Sequence, residues 1–413
     1  MRKIYTAIDI GSDTIKVLVL EKIGNKLNTL ASNIYPSLGV KKGIVIDEDL
    51  VLATIKEALK KVNDSLNINI NKALVTVPMD DANYKIVDGY TTITGEDSII
   101  TKDDILNTLQ ASIYNKIKDD EELVTVMPIK YLLDDKVEVK NPRGLKANKL
   151  SALVMMVTAP KTNLYRCLSL FDKAGIEVVD ILFGSIGDYY AYKEDEFDKG
   201  VTAVIDIGLN KTDISIFNKG IITSSKIIPV GSFNIDEDLS YVYNIPLDKA
   251  RKIKEMFIEL DKSVASRDEY YDIKDKSNIK ISINQKEASE IVYNNLLEII
   301  KKAKKELNNL TKKEIHYIII TGGISNIPGF DKLCVEVYND IVPTKMDIIG
   351  IRDNTYSSAY GTIKYFINKL ELRGREYSMF SEDEVTRIVG NAVKNEDTKI
   401  FGRFFSRLFD KED

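Results

Sequence analysis

Tyr5-Thr6-Ala7-Ile8-Asp9-Ile10-Gly11-Ser12-Asp13-Thr14-Ile15-Lys16-Val17-Leu18 decides the fold, because its pattern returns in Val201-Thr202-Ala203-Val204-Ile205-Asp206-Ile207-Gly208-Leu209-Asn210-Lys211-Thr212-Asp213-Ile214-Ser215-Ile216-Phe217. Each copy reads apolar strand, Asp-Ile-Gly, polar turn, apolar strand, the signature of a hairpin. A duplication at this distance indicates two similar α/β halves rather than a short-period solenoid. Glycine in each turn lets backbone amides approach an anion. Ser12 and Thr14 add hydroxyl donors and Lys16 reaches an anion, while Lys211 and Thr212 repeat the device after Gly208. Asp9 suits a magnesium ion held through water, since Mg²⁺ keeps most of its hydration shell, and Asp206 is its counterpart. Two such turns, face to face, would clamp a nucleotide tail and its metal from both sides.

Outward from the first turn, Asp49–Val62 carries apolar residues at helical spacing and Ala73–Pro78 reads as a buried strand. A different texture begins near Asn83, with an alternating Tyr84–Ile93, a helix capped by Thr101 and Asp104, and strands around Val124–Leu133 and Ala152–Thr158. Leu164–Ala174 is a helix stopped by Gly175, and Glu177–Leu182 is extended. Beyond the second turn, helices are expected over Leu247–Leu260 and Gln285–Leu310. The strand Tyr317–Thr321 then leads into Gly322-Gly323, a third glycine element placed as backbone close to an adenosine would require. A small-residue helix, Asn354–Phe366, closes the folded part. From Glu371 to Thr398 the chain turns polar and loses periodicity, which predicts a linker.

Composition narrows the chemistry. The 413 residues are 44% hydrophobic and 29% charged, a globular balance, with a net charge of −5. Non-specific nucleic-acid binding needs a basic footprint that this chain lacks, so no nucleic-acid partner is expected. Two cysteines, Cys167 and Cys334, and one histidine, His316, supply neither a disulfide framework nor a structural zinc site. Asp9 and Asp13 interrupt the apolar run after the basic N-terminus, so no signal-peptide core forms, and no stretch approaches the ~20 apolar residues of a membrane span. A cytoplasmic chain is expected.

Taken in order, Asp9-Ile10-Gly11-Ser12 with Lys16, Asp206-Ile207-Gly208 with Thr212-Asp213, Thr321-Gly322-Gly323 and Tyr356-Ser357-Ser358-Ala359-Tyr360-Gly361 resemble the actin/Hsp70/sugar-kinase ATPase superfamily. Four stretches narrow the resemblance to the FtsA family of bacterial cell-division proteins. They are Met127–Tyr131 with Asn141–Leu145, Leu170–Val178, Ile228–Gly231 with Ile235 and Asp238, and the C-terminal tail.

The resemblance implies an α/β actin-like ATPase fold: two duplicated RNase H-like halves with an FtsA-type insert and a C-terminal amphipathic helix. It divides the chain into residues 1–82 and 161–199 (first half, 1A), 83–160 (insert, 1C), 200–240 and 311–370 (second half, 2A), 241–310 (small subdomain, 2B), 371–398 (linker) and 399–413 (membrane-targeting helix). It implies ATP and Mg²⁺ as cofactors, the nucleotide touching Gly11, Ser12, Asp13, Thr14, Lys16, Gly208, Lys211, Thr212, Gly231, Lys254, Gly322 and Gly323, and the metal held through water by Asp9 and Asp206. Those two aspartates are also the only catalytic candidates. Departures from the family pattern are Leu209, Asn210 and Lys211 after Gly208, Ser232 after Gly231, Arg251 in place of an acidic residue, and Ile324 in place of a third glycine. Bulky side chains where φ is positive cost about 1–3 kcal/mol, so nucleotide binding with slow or absent hydrolysis is expected.

The tail Lys399–Phe409 places Ile400, Phe401, Phe404, Phe405, Leu408 and Phe409 on one half of a helical wheel and Lys399, Gly402, Arg403, Ser406 and Arg407 on the other. An aromatic face opposite a basic face, including Arg403 and Arg407, describes a helix lying in an anionic membrane interface; docking of the same face onto the body or a partner is the alternative. Each tail would bind weakly, and many tails on one polymer tightly. The resemblance further implies self-assembly into filaments, other division proteins as partners, and a peripheral place on the cytoplasmic side of the membrane at the division site. It also implies capture of the acidic C-terminal peptide of the tubulin-like protein FtsZ near Lys301, Lys302, Lys304 and Lys305, beside Leu297 and Ile300, although those lysines also read as a solvated helix face. The competing functions are a sugar kinase, for which Phe183–Ala191 offers only Asp188 as base, a chaperone ATPase, which needs a further domain after Phe366, and a pilus-assembly relative, which should lack the tail.

Overall fold

A computed structural model describes residues 2–41, 44–77, 79–95, 97–338, 351 and 354–388. Its first sheet grows from β1 (Lys3–Ile10), whose Ile4, Ala7 and Ile8 are fully buried, the continuous apolar run of a strand covered on both faces. A hairpin joins β1 to β2 (Thr14–Ile23), and β3 (Lys26–Pro36) follows antiparallel. After the short pair β4 (Val40–Lys41) and β5 (Ile44–Val45) comes α1 (Glu48–Leu66). Asp47 caps α1 by accepting from Leu50 N, and Asn67, in the left-handed region at φ 51°, ends it. Strand β6 (Lys72–Val77) then runs parallel to β1.

Strand β7 (Asn83–Thr92) opens the insert, with α2 (Lys102–Ile113) behind the reciprocal Thr101–Asp104 cap that the sequence predicts. Strands β8 (Glu121–Leu133), β9 (Val137–Val139) and β10 (Lys149–Pro160) complete a four-stranded antiparallel sheet of order β7-β10-β8-β9. Gly89 lies under α2 at Ser112, where any Cβ would overlap the helix backbone. The chain returns through α3 (Lys161–Lys173), β11 (Glu177–Phe183) and α4 (Gly184–Tyr192), so the first sheet is ordered β11-β6-β1-β2-β3.

The second half repeats this arrangement. Strands β12 (Val201–Ile207), β13 (Thr212–Asn218) and β14 (Ile221–Ile228) form the meander. The segment α5 (Ser232–Val242), α6 (Leu247–Met256), β15 (Tyr270–Lys274), β16 (Lys280–Asn284) intervenes before α7 (Gln285–Leu310) and the parallel strand β17 (Tyr317–Thr321). The order β14-β13-β12-β17 matches β3-β2-β1-β6, and the registers agree: Asp9 faces Lys16 and Thr76, and Asp206 faces Asp213 and Thr321. Helices α8 (Phe330–Tyr338) and α9 (Ser357–Leu372) follow, and α9 crosses α4 so closely that a Cβ on Gly361 would overlap the Gly187 carbonyl. Helix α6 ends at Met256, four residues short of the expected Leu260.

The linker expectation needs correction. Beyond α9 the chain packs onto β1: Met379 N–H donates to the Ile4 carbonyl at 3.3 Å, Tyr5 Oη donates to the Tyr377 carbonyl at 2.9 Å, and Tyr377 stands edge-on to Phe366. Met379, Phe380 and Ile388 are buried in the first half's core. Parallel pairing with β6 begins only at Ala7, so the strap covers polar backbone at the start of β1 that would otherwise face the core unpaired. Linker residues 389–398 and the amphipathic segment 399–413 lie outside the described residues.

Candidate functional site

A cleft of about 460 Å³ opens between the halves, with the two hairpin turns on opposite walls. Each turn is closed by one hydrogen bond, Gly11 N–H to the Thr14 carbonyl and Gly208 N–H to the Lys211 carbonyl, both 3.0 Å. The glycine amides are thereby committed to the turns, so backbone donors to an anion must come from the residues that follow. A Cβ on Gly11 would press on Lys16 Nζ, and one on Gly322 would overlap the Ile207 carbonyl and Asp206; Gly322, at φ 99°, also needs glycine's freedom.

Among the expected contacts, Asp9, Gly11, Ser12, Asp13, Thr14, Lys16, Asp206, Gly208, Lys211, Lys254, Gly322 and Gly323 line the cleft. Two do not. Thr212 is fully buried and donates to the Val230 carbonyl at 2.8 Å, so its hydroxyl braces the turn from behind. Gly231 packs against the Gly208 and Leu209 carbonyls, with its neighbour Ser232 lining the cleft instead. The expected strain is also absent: none of Leu209, Asn210, Lys211 and Ile324 is among the residues of positive φ, and Ile324 sits in a short 3₁₀ turn, Gly323–Asn326.

Charge is arranged as opposed pairs. Lys16 Nζ lies 2.8 Å from Asp9, Lys211 Nζ lies 3.0 Å from Asp80 and 3.6 Å from Asp213, and Lys254 Nζ lies 2.7 Å from Asp236. Arg251 reaches across the cleft mouth from α6 to hold both oxygens of Asp13 at 2.5 Å. Thr76 donates to Asp9. Burial, then the neighbouring charge of Asp213, pushes Asp206 up to about 7. Burial lowers Lys16 and Lys211, but their acidic neighbours outweigh it and hold both above the ordinary lysine value. Lys254 is lowered by burial.

The arrangement suits a phosphate chain with a hydrated cation. Lysines already desolvated beside carboxylates can exchange them for phosphate oxygens, and Asp9 and Asp206 can accept from metal-bound water. Among the described residues, no three His, Cys, Asp or Glu side chains form a metal cage of their own. Thr76, Asp80, Arg251, Asn326 and Asn354 also take part in this site or its ion pairs and were not legible from the turns, because strand register and chain crossings bring them there. Asp188 does not serve as a cleft base: it is fully buried between α4 and α9, accepting from Ser357 at 2.6 Å and Ser358 at 2.8 Å. Burial first, then the Asp206 charge, raises it well above the carboxylate range. The lysine face on α7 also differs from expectation, since Ile300 is buried and Lys304 donates to the Val337 carbonyl.

Two family models match the chain: "Cell division protein FtsA" over residues 203–361 and "SHS2 domain inserted in FTSA" over residues 83–158. Cell division protein FtsA of Bacillus subtilis (strain 168) is 27% identical over 386 residues, covering 92% of this chain and 88% of that protein. That of Enterococcus hirae is 24% identical over 376 residues, covering 89% and 84%. Among solved structures, the ethanolamine utilization protein EutJ of Carboxydothermus hydrogenoformans superposes with a TM-score of 0.53 at 16% identity, over 87% of this chain and 88% of that one. MreB5 of Spiroplasma citri bound to ADP gives 0.55 at 14% identity, over 89% and 97%. The fold is that of the actin-like ATPases.

Proposed function

Because the chain belongs to the FtsA family of actin-like cell-division proteins, we propose that it binds ATP with Mg²⁺ between the two turns, polymerises, and ties FtsZ filaments to the cytoplasmic face of the cell membrane at the division site. The observation that carries the nucleotide reading is the opposition of two Asp-Ile-Gly turns, each with its own paired lysine, across one cleft. Lys16 and Lys211 would hold the phosphates, Asp9 and Asp206 would hold the hydrated metal, and Gly322-Gly323 would admit the nucleoside. The metal supplies charge neutralisation on the phosphate oxygens. Turnover is slow, well below the ~1–10³ per second of ordinary enzymes, because Asp188 is packed between α4 and α9 away from the cleft, which leaves Asp206, on the cleft lining, as the candidate to act on water.

For the acidic peptide of FtsZ, the small subdomain exposes Tyr241, Val242, Leu247 and Met256 beside Lys249 and Lys252, with Asp248 and Glu255 exposed on the same helix as the lysines, an apolar surface of mixed charge whose two lysines would meet the peptide's carboxylates. Membrane attachment rests on the sequence of residues 399–413, through Ile400, Phe401, Arg403, Phe404, Phe405, Arg407, Leu408 and Phe409. Negative-stain microscopy on anionic lipid monolayers with and without ATP tests the whole reading. Membrane-bound filaments should form with ATP and vanish on deleting Lys399–Asp413, and Phe404→Glu should abolish sedimentation with vesicles. Undiminished sedimentation of that variant would refute the anchor, and filaments insensitive to ATP would refute the nucleotide's role.

A further inference from the structure

A second cavity, of about 470 Å³, lies behind the wall of the nucleotide cleft. Ile10 and Met79 line both spaces. The cavity sits where three units meet: α3 of the first half, the turn from Met79 to Ala82 that enters the insert, and the edge strand β14 of the second half. Junctions of this kind, at this volume, are where small-molecule pockets concentrate.

Its chemistry is divided. Ile10, Val45, Met79 and Ile227 give it apolar walls, while Arg166 and Lys226 are exposed cations on its lining. Neither cation has an ion-pair partner among the described residues. Glu48, whose charge lies near Arg166, is taken by Lys173 at 2.8 Å. Asp80, also on the lining, is spent on Lys211. That leaves two cations against the single carboxylate of Asp81.

We infer that this cavity is a second ligand site, for a small amphipathic organic anion whose apolar body lies against Ile10, Met79 and Ile227 and whose acidic group meets Arg166 and Lys226. A guanidinium and an ammonium on one lining offer a carboxylate, sulfonate or phosphate charge-assisted hydrogen bonds. The site communicates with the cleft through two physical links: the shared wall, where Ile10 directly follows Asp9, and the Asp80–Lys211 pair, which joins this lining to the second turn. Occupancy fixes the spacing of α3 and β14 and thereby of the two halves. By linkage the anion and the nucleotide then alter each other's affinity by the same factor.

The test titrates the full chain with 8-anilino-1-naphthalenesulfonate and, in parallel, with N-phenyl-1-naphthylamine, the same ring system without the sulfonate. Saturable one-to-one binding of the sulfonate is expected, at least tenfold tighter than the uncharged ring. Arg166→Glu combined with Lys226→Glu should weaken it at least tenfold while ATP affinity in the absence of dye stays unchanged. Lys249→Glu with Lys252→Glu, on the small subdomain, should leave it unaltered. Saturating ATP should shift the dye's Kd, and saturating dye should shift that of ATP by the same ratio. Equal binding of the uncharged ring, an unaltered Kd in the Arg166/Lys226 variant, or absence of saturable binding would overturn the site. Strict competition with ATP would place the dye in the cleft and overturn it too. A Kd indifferent to ATP would overturn the coupling.

Discussion

Arg251 is the residue whose role the sequence misreads most. Its position on α6 is that of an acidic residue in the family pattern, which suggests a lost contact, yet in the folded chain it bridges the cleft mouth to Asp13 of the first turn. Only the crossing of the small subdomain over the first half reveals this. The pair is bidentate but about one-third exposed on each side, so it is worth about 1 kcal/mol. Arg251→Ala should therefore speed release of a fluorescent ATP analogue roughly fivefold in stopped flow, and Asp13→Asn should do the same; an unchanged rate in both would mean that the pair does not gate the cleft. Asp206, by contrast, was legible from its motif, though its state was not. Burial beside Asp213 raises it from 3.8 to about 7, so the native chain holds a proton there that the unfolded chain has released. The penalty of ionising this site grows as pH rises from about 4 to 7 and is complete above that. Asp206→Asn removes it and should raise the Tm of the nucleotide-free chain at pH 8 on the order of 3 °C, with little effect at pH 4. Equal shifts at both would contradict a raised carboxyl.

At the scale of elements, periodicity and caps served well where they were strong. Helix α7 runs from Gln285 to Leu310 as read, because Asn284 caps its start by accepting from Glu287 N and its apolar face recurs regularly into Leu307. The strap after α9 was invisible because Tyr377, Met379, Phe380 and Ile388 are too sparse to show a period, and their burial depends on a sheet end formed by residues at the other terminus. The small residues of α9 were noticed without their partner. That partner is α4, where Gly187 and Gly361 let the backbones meet and Ser357 and Ser358 anchor on Asp188. Gly361→Ala forces its methyl into the Gly187 carbonyl, so it should destabilise by about 1–3 kcal/mol or more in urea unfolding. Gly95→Ala, which meets nothing within 4 Å, should stay within about 0.5 kcal/mol. Similar midpoints for the two variants would show that the crossing tolerates separation.

Seen as a whole molecule, the duplication read from two Asp-Ile-Gly turns is a real symmetry of sheet order and register, and the asymmetries decide what each half does. The insert follows β6 in the first half, whereas the small subdomain interrupts the second between β14 and α7. The strap adds a third asymmetry, because it fastens the chain's last described residues to β1, the strand that carries Asp9. Packing thus continues well into the stretch expected as linker: of residues 371–398, those up to Ile388 belong to the first half, with Met379, Phe380 and Ile388 buried in its core. Truncation separates the packing of residues 375–388 from the proposed membrane attachment of residues 399–413. A chain ending at Ile388 keeps Met379, Phe380 and Ile388 in place, so it should match the full chain in Tm and lose only vesicle sedimentation. A chain ending at Gly374 uncovers the start of β1 and strips buried side chains worth roughly 1.5–3 kcal/mol each before ordering costs. It should melt on the order of 5 °C lower and, because β1 is loosened, bind ATP more weakly. Equal melting of the two truncations would mean that residues 375–388 are tether after all, and that their packing on β1 does not support the nucleotide cleft.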